Sequence, residues 1–225
     1  MSKTKAYEHF NLGICGPTGA GKSTIARAIA TLPRVSLIPE IIPEKLLERF
    51  VNEPRKYAYD LQREIVTSRL DMWMKARFSP IIVWDRTAEE DREVFFNLHF
   101  RLGFLSATQL EKLRQLSFEV EASAGKPDAM IYVSASVESL KKRLINDGKP
   151  NWLLDTLDLQ LSMYREYQAH LPCVQLEIDT TVTEPSQLVN LSTWIYDTMM
   201  EASRGRLSYN SQFEIGWAKS NSAAG

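Results

Sequence analysis

Cysteine is almost missing from this chain: there are two among 225 residues, Cys15 and Cys173, far apart and without metal-ligand spacing. That scarcity excludes a disulfide-framed scaffold and a thiolate metal site. Cys15, inside an apolar run, reads as a buried thiol in a reducing compartment. An excess of one charge is missing too. The 27 Lys and Arg nearly balance 28 Asp and Glu, giving a net charge of −1, whereas a nucleic-acid polymer selects a basic surface. No apolar run approaches the ~20 residues needed to cross a bilayer. The N-terminus shows neither a secretory apolar segment nor an Arg-rich transit pattern. What remains is a globular chain, expected in the cytoplasm, with neither nucleic-acid polymer nor membrane as partner. With 44% hydrophobic and 24% charged residues, it can build one domain with a full core.

What the chain has is Gly16-Pro17-Thr18-Gly19-Ala20-Gly21-Lys22-Ser23, followed by Thr24. The spacing fits G-x-x-x-x-G-K-[ST]. A strand-like run, Phe10–Cys15, leads in, and a helical one, Thr24–Ala30, leads out, which is the context a phosphate loop requires. Glycines let backbone N–H groups converge on phosphate oxygens where a side chain would block the approach. Lys22 is expected to reach the β- and γ-phosphates and the Ser23 hydroxyl to ligate Mg²⁺. A Gly-rich turn with no ligand is the bland alternative, and Lys22 and Ser23 between correct flanks argue against it. The chain is read as binding a nucleoside triphosphate.

Further strand-like runs lie at Val35–Ile38, Ile81–Trp84, Ala129–Val133 and Val174–Ile178. Continuous apolar strands alternating with helical patterns predict a three-layer α/β fold, a five-stranded parallel sheet flanked by helices. Helices are expected over Tyr57–Met74, with Leu61, Ile65, Leu70 and Trp73 on one buried face, and over Glu90–Phe100 and Thr108–Ala122. Val137–Asp147, Asp155–His170 and Ser186–Ser203 complete the set. No repeat or linker divides the chain, so residues 1–204 are expected to form one domain. Residues 205–225, rich in Ser, Asn and Ala, form a tail ordered only if it docks.

Two strand ends carry chemistry. The second runs into Pro39-Glu40, and ligands of open α/β sheets sit at the carboxyl ends of strands, so Glu40 is a candidate base for an attacking hydroxyl. Glu44 is its competitor, although it more naturally opens a helix, and both can be ordinary surface carboxylates. The third strand ends Trp84-Asp85-Arg86-Thr87, and an acid and an arginine there need partners. Beside a triphosphate, Asp85 would join the metal shell and Arg86 the transferring phosphoryl group. A structural Asp–Arg pair is the alternative.

Taken together, Gly16–Ser23, Pro39-Glu40, Leu61-Gln62, Asp85-Arg86-Thr87 and Pro127-Asp128-Ala129-Met130-Ile131-Tyr132 resemble the deoxynucleoside kinase family over roughly residues 8 to 200. The resemblance implies a P-loop kinase fold and ATP-dependent, Mg²⁺-assisted phosphorylation of a deoxynucleoside 5′-hydroxyl, as in nucleotide salvage. It implies that Glu40 is the base, Arg86 the clamp on the 5′-oxygen and phosphoryl group, and Asp85 the acid near Mg²⁺. Gln62 would read the base edge with its amide. Arg69, two helical turns on, and Asp91 match the charged pair of members that take cytosine or purine bases rather than thymidine. A homodimer packed through helices is implied as well, with the apolar faces of Tyr57–Met74 and Asp91–Arg101 as candidates.

The sequence departs from the family at the lid. Where the family resembles R-x-x-x-R-G-R-x-E-E, this chain reads Arg143-Leu144-Ile145-Asn146-Asp147-Gly148-Lys149-Pro150-Asn151-Trp152, within a lid at about 143–153. Arg143 and Lys149 remain as phosphate clamps. Asp147 replaces an arginine, and Trp152 stands where a glutamate commonly holds the 3′-hydroxyl. The tyrosine sharing that task is missing near Phe50-Val51. Two other readings stay open. One is a deoxynucleoside monophosphate kinase, with Arg63, Arg92 or Lys141 holding the acceptor phosphate. The other is a nucleotide-binding subunit without catalysis.

Overall fold

The computed structural model describes residues 9–181, Tyr196 and Gln212–Glu214. In chain order the elements are β1 (Phe10–Cys15), α1 (Lys22–Ile29), β2 (Val35–Ile38), α2 (Glu44–Asn52), α3 (Pro54–Ala76) and β3 (Ile81–Asp85). Next come α4 (Ala88–Glu90), a π-helical turn (Asp91–Phe96), α5 (Asn97–Arg101), α6 (Ala107–Ala124) and β4 (Ala129–Ser134). The remainder is α7 (Val137–Asn146), α8 (Asn151–Asp155), α9 (Leu157–His170), β5 (Val174–Asp179) and a short β6 (Gln212–Glu214).

The strands lie in the order β2-β3-β1-β4-β5-β6, and every pairing is parallel. The expected five strands are present at the expected places, and β6 extends the β5 edge from within the segment read as a tail. Alternate residues of each strand serve opposite faces. Ile81 and Val83 of β3 pack with Ile25, Ile29 and Leu140 on one side, while Ile82 and Trp84 pack with Leu61, Ile65 and Leu113 on the other. A third cluster joins Cys15 and Met130 to Phe95 and Tyr164. Helices therefore cover both faces, as near-continuous apolar strands demand. Both cysteines are buried and free.

Helix starts follow local chemistry. Ser106 and Gln109 form a reciprocal capping box at α6, and Thr87 and Ser136 cap α4 and α7 through their hydroxyls. Helix α3 begins earlier than its apolar pattern suggested, because Pro54 is well suited to a first helical turn. Along it Leu61 and Ile65 are buried, whereas Leu70 and Trp73 are half-buried. The continuous helix expected over Glu90–Phe100 is interrupted: Asp91–Phe96 widens into a π-helical turn, a feature common at functional sites. The helix expected from Asp155 is preceded by the separate α8. The helix expected over Ser186–Ser203 lies outside the described residues, Tyr196 excepted.

At the mouth of the sheet, Gly16 adopts φ 142, and a Cβ there would run into the carbonyl oxygen of Val133 on β4. Gly16→Ala is expected to cost about 2 kcal/mol and to lower Tm by roughly 4–8 °C for a chain of this size. Calorimetry measures this; an unchanged Tm would mean that β4 yields freely.

Candidate active site

Gly21, at φ 98, turns the chain from the loop into α1, so Lys22 opens the helix directly. The Lys22 ammonium folds back over the loop, donating to the carbonyls of Gly16 (2.8 Å) and Pro17 (3.0 Å). Burial lowers its pKa, with the Arg86 charge pushing the same way. Ser23 and Thr24 face the same cavity. Three later elements hold the loop. Gln160 of α9 accepts from the Thr18 N–H at 3.1 Å. Arg143 of α7 donates to the Gly19 carbonyl at 3.1 Å and to the hydroxyl and carbonyl of Thr180, each at 2.9 Å. Glu90, fully buried, accepts from the Gly16 N–H at 3.2 Å and from the Tyr164 hydroxyl at 2.5 Å.

Strand pairing brings the second strand end to this loop. Ile14 of β1 lies opposite Asp85 of β3, and the next residue, Arg86, donates its N–H to the Ile14 carbonyl at 3.0 Å. Arg86 sits at φ 69, a left-handed conformation that strains any residue with a Cβ. Its carbonyl accepts from Arg69 Nη1 at 2.6 Å, and that of Asp85 accepts from the same nitrogen at 3.2 Å. Arg69 is in turn clamped by Asp91, with Nε 2.6 Å and Nη2 3.3 Å from its two oxygens, and neither side chain is exposed. The pair expected to read a base thus spends its hydrogen bonds on the backbone that carries Arg86. Neither member lines the cavity.

The Arg86 guanidinium lies over the Phe95 ring at 3.6 Å and meets Glu40 Oε1 at 2.5 Å. Burial alone would lower its pKa, but Glu40, Asp91 and Glu90 outweigh that and raise it. Pro39 ends the reach of β2, which pairs with β3 up to Ile38 opposite Trp84, and Glu40 follows at the cavity wall. Glu44 instead opens α2, exposed and off that wall.

The cavity, about 710 Å³, runs from Lys22, Ser23 and Thr24 past Glu40 and Arg86 to an apolar end. There Trp152 meets Phe50 and Phe104 edge to face, with ring centroids 5.5 and 5.6 Å apart. Val51, Ile65 and Leu98 also line it. Two polar side chains interrupt this wall. Gln62 is 3% exposed and its Oε1 is enclosed without a hydrogen-bond partner. His99, stacked at a tilt on Phe50, has an enclosed Nδ1 without a partner, and burial together with the Arg86 charge holds its pKa down at about 3. Lys149 and Asp147, both exposed, stand at the rim.

Of the two residues expected to serve a cation, Ser23 lines the cavity, whereas Asp85, 5% exposed with an enclosed Oδ1 that lacks a partner, lies behind its wall. Among the described residues no three His, Cys, Asp or Glu gather into a self-sufficient metal site. A cation here would take most of its ligands from phosphate and water. The cations considered for an acceptor phosphate lie elsewhere. Arg92 is engaged by Glu93 (2.9 Å), Glu121 (3.0 Å) and Ser117 (3.1 Å), while Arg63 and Lys141 are exposed and off the cavity wall.

Sequence reasoning missed Glu90, Gln160, Thr180 and His99. For Glu90 a signal existed in the acidic run Glu89-Glu90-Asp91 leaving a buried strand. Because Arg69 neutralises Asp91 and fixes two carbonyls, Arg69→Ala is expected to cost about 3–5 kcal/mol in denaturant titrations. Replacing both Arg69 and Asp91 by leucine should recover much of that stability while activity stays low. A mild effect of Arg69→Ala alone would contradict the clamp.

Comparison with known proteins identifies the family. Residues 12–179 match the family model for deoxynucleoside kinase. The chain is 25% identical over 210 residues to a deoxyadenosine kinase of Dictyostelium discoideum, covering 87% of this chain and 82% of that protein. It is 26% identical over 147 residues to a deoxyguanosine kinase of Bacillus subtilis (strain 168), covering 62% and 67%. The fold is similar to deoxyadenosine kinase from M. mycoides, solved with bound dCTP at TM-score 0.64 and 20% identity, and with bound dATP at 0.64 and 22%. Each covers 84% of this chain and all of the solved one. With a phosphate loop, a strand-end Asp-Arg and a family model spanning most of its length, the chain belongs to the deoxynucleoside kinase family, phosphotransferases that act on a nucleoside hydroxyl.

Proposed function

We propose that the protein transfers the γ-phosphoryl group of ATP to the 5′-hydroxyl of a deoxynucleoside, yielding the 5′-monophosphate for nucleotide salvage. Purine deoxynucleosides or deoxycytidine are favoured over thymidine. The observation that carries this reading is Glu40 paired with Arg86 in the cavity that also holds Lys22 and Ser23. As phosphate arrives, Arg86 shifts from Glu40 towards the transferring group. Glu40, released, accepts the 5′-hydroxyl proton while the 5′-oxygen attacks the γ-phosphorus and ADP departs. Lys22 and Lys149 offset charge on the phosphates, and Arg143 keeps the loop in shape through the Gly19 carbonyl. Mg²⁺, held by Ser23 and through water by Asp85, would neutralise phosphate charge.

An acceptor without its own phosphate suits the far end of the cavity. Its walls are aromatic and aliphatic, and Arg92, a buried cation off that wall, is occupied by Glu93 and Glu121. The Gln62 amide supplies both a donor and an acceptor for a base edge, and relatives named for deoxyadenosine and deoxyguanosine favour purines. Arg69 and Asp91 would act on base preference from behind this wall. Intact Lys22, Ser23, Glu40 and Arg86 speak against a subunit without catalysis. A homodimer would draw on apolar side chains left outward on the expected helices, Met74 of α3 and Phe100 of α5; light scattering measures it.

Assaying all four deoxynucleosides and their monophosphates with ATP and Mg²⁺ tests the reading. Faster turnover of dAMP or dGMP than of the nucleosides would replace it. Glu40→Gln is expected to lower kcat by about 10²–10⁴-fold and leave ATP affinity intact, while Glu44→Gln changes neither. Normal turnover in Glu40→Gln would move the base elsewhere.

A further inference from the structure

Beneath the phosphate loop lies a carboxylate to which the proposed chemistry gives no task. Glu90 is wholly buried, five residues past Asp85 and off the cavity wall. Its Oε1 carries two hydrogen bonds, from the first N–H of the loop and from Tyr164 of α9, and its Oε2 has no partner. We propose that Glu90 is a proton-linked positioning residue: it anchors the Gly16 N–H, and where it is ionised it becomes protonated when a nucleoside triphosphate binds. The proposal rests on Gly16–Ser23 being the triphosphate site.

The charges around Glu90 fix the direction. Lys22 of α1 and Arg86 at the end of β3 favour its ionised form, while burial, the largest influence, and Asp91 of the π-helical turn oppose it. The Tyr164 hydrogen bond also favours the ionised form, and the balance brings the pKa up to about 7. The other titratable neighbours are Cys15 on β1, Tyr132 on β4 and Tyr164 and Tyr167 on α9. Burial pushes all four upward, so they stay neutral near pH 7. Asp91 is ion-paired with Arg69.

Lys22 and Arg86 are therefore the two charges that favour the ionised form of Glu90, and these are the cations that incoming phosphates engage. Added negative charge beside both disfavours a further anion. A proton from solvent then settles on the carboxyl group, with Oε2 as the free oxygen. Oε1 continues to accept from Gly16 and Tyr164, so the loop keeps its anchor. By linkage, a group whose pKa rises on binding makes binding tighter at low pH and weaker as pH climbs through the free protein's value.

The test is calorimetric titration of full-length protein with MgATP in buffers of different ionisation enthalpy, comparing wild type with Glu90→Gln. Glutamine keeps the acceptor for Gly16 and Tyr164 and cannot titrate, and the ionisation of ATP itself is common to both. Wild type should take up about half a proton more than the variant near pH 7. Its Kd should also rise roughly five- to tenfold more between pH 7 and 8.5, leaving Glu90→Gln the tighter binder at the higher pH. Equal uptake, or a variant weaker at every pH, would overturn the proposal and leave Glu90 a structural anchor. Infrared difference spectra of wild type need no variant to fold: a protonated-carboxyl band should appear with MgATP, and its absence also overturns the proposal. Wild type that binds no nucleotide at any pH would overturn the triphosphate site itself, whereas binding without proton linkage sinks the role of Glu90 alone.

Discussion

An ion pair sealed from water holds the strand end around which this site is organised. Arg69 and Asp91 face each other with no exposed surface, and the guanidinium fastens the carbonyls of Asp85 and Arg86. A left-handed arginine at a strand exit is unfavourable by itself, on the order of 1–3 kcal/mol. Here it is over-determined: its N–H is bound by β1, its carbonyl by Arg69, and its side chain by Glu40 and Phe95. Breaking the pair would release the backbone that aims Arg86 into the cavity. Buried charge is weak evidence for stability as such, and in this protein its value lies in direction.

The loop end and the aromatic end of the cavity are built on different principles. Around the loop, polar groups from α7, α9 and the segment after β5 satisfy backbone atoms, so the cradle is set before any ligand arrives. At the other end the walls are aromatic, and the enclosed polar atoms of Gln62, His99 and Trp152 lack partners. Unpartnered buried polar atoms are costly, so a group able to hydrogen-bond with them would be favoured at this end. The His99 imidazole, held neutral, adds hydrogen-bonding capacity without charge.

Much of this arrangement was legible in the sequence, and for identifiable reasons. Strand positions followed from apolar runs, and Gly16–Ser23 followed from a spacing that little besides a phosphate loop requires. Glu40 and Asp85-Arg86 followed from the rule that sites form at the carboxyl ends of parallel strands. Gln160 and Thr180 were not legible, since each is an ordinary polar residue whose partner lies far away in sequence, and the acidic run holding Glu90 did not reveal its bond to the Gly16 N–H. Arg92 shows the opposite failure: a cation near the motif, bound by α6 on the side away from the cavity. The π-helical turn was also invisible, because a single widened turn leaves the hydrophobic period of Glu90–Phe100 nearly unchanged.

The strand order carries a consequence for how the chain is made. Strand β1, with the phosphate loop at its end, finds its sheet neighbours only at Ile81–Asp85 and Ala129–Ser134. The loop's remaining supports arrive later still, at Arg143, Gln160 and Thr180. In a nascent chain the phosphate loop therefore leaves the ribosome well before its supports, the last of which is Thr180, whose hydroxyl donates to the Ala20 carbonyl. Closing such long separations is slow, and bound nucleotide, by mass action, would stabilise only the finished fold.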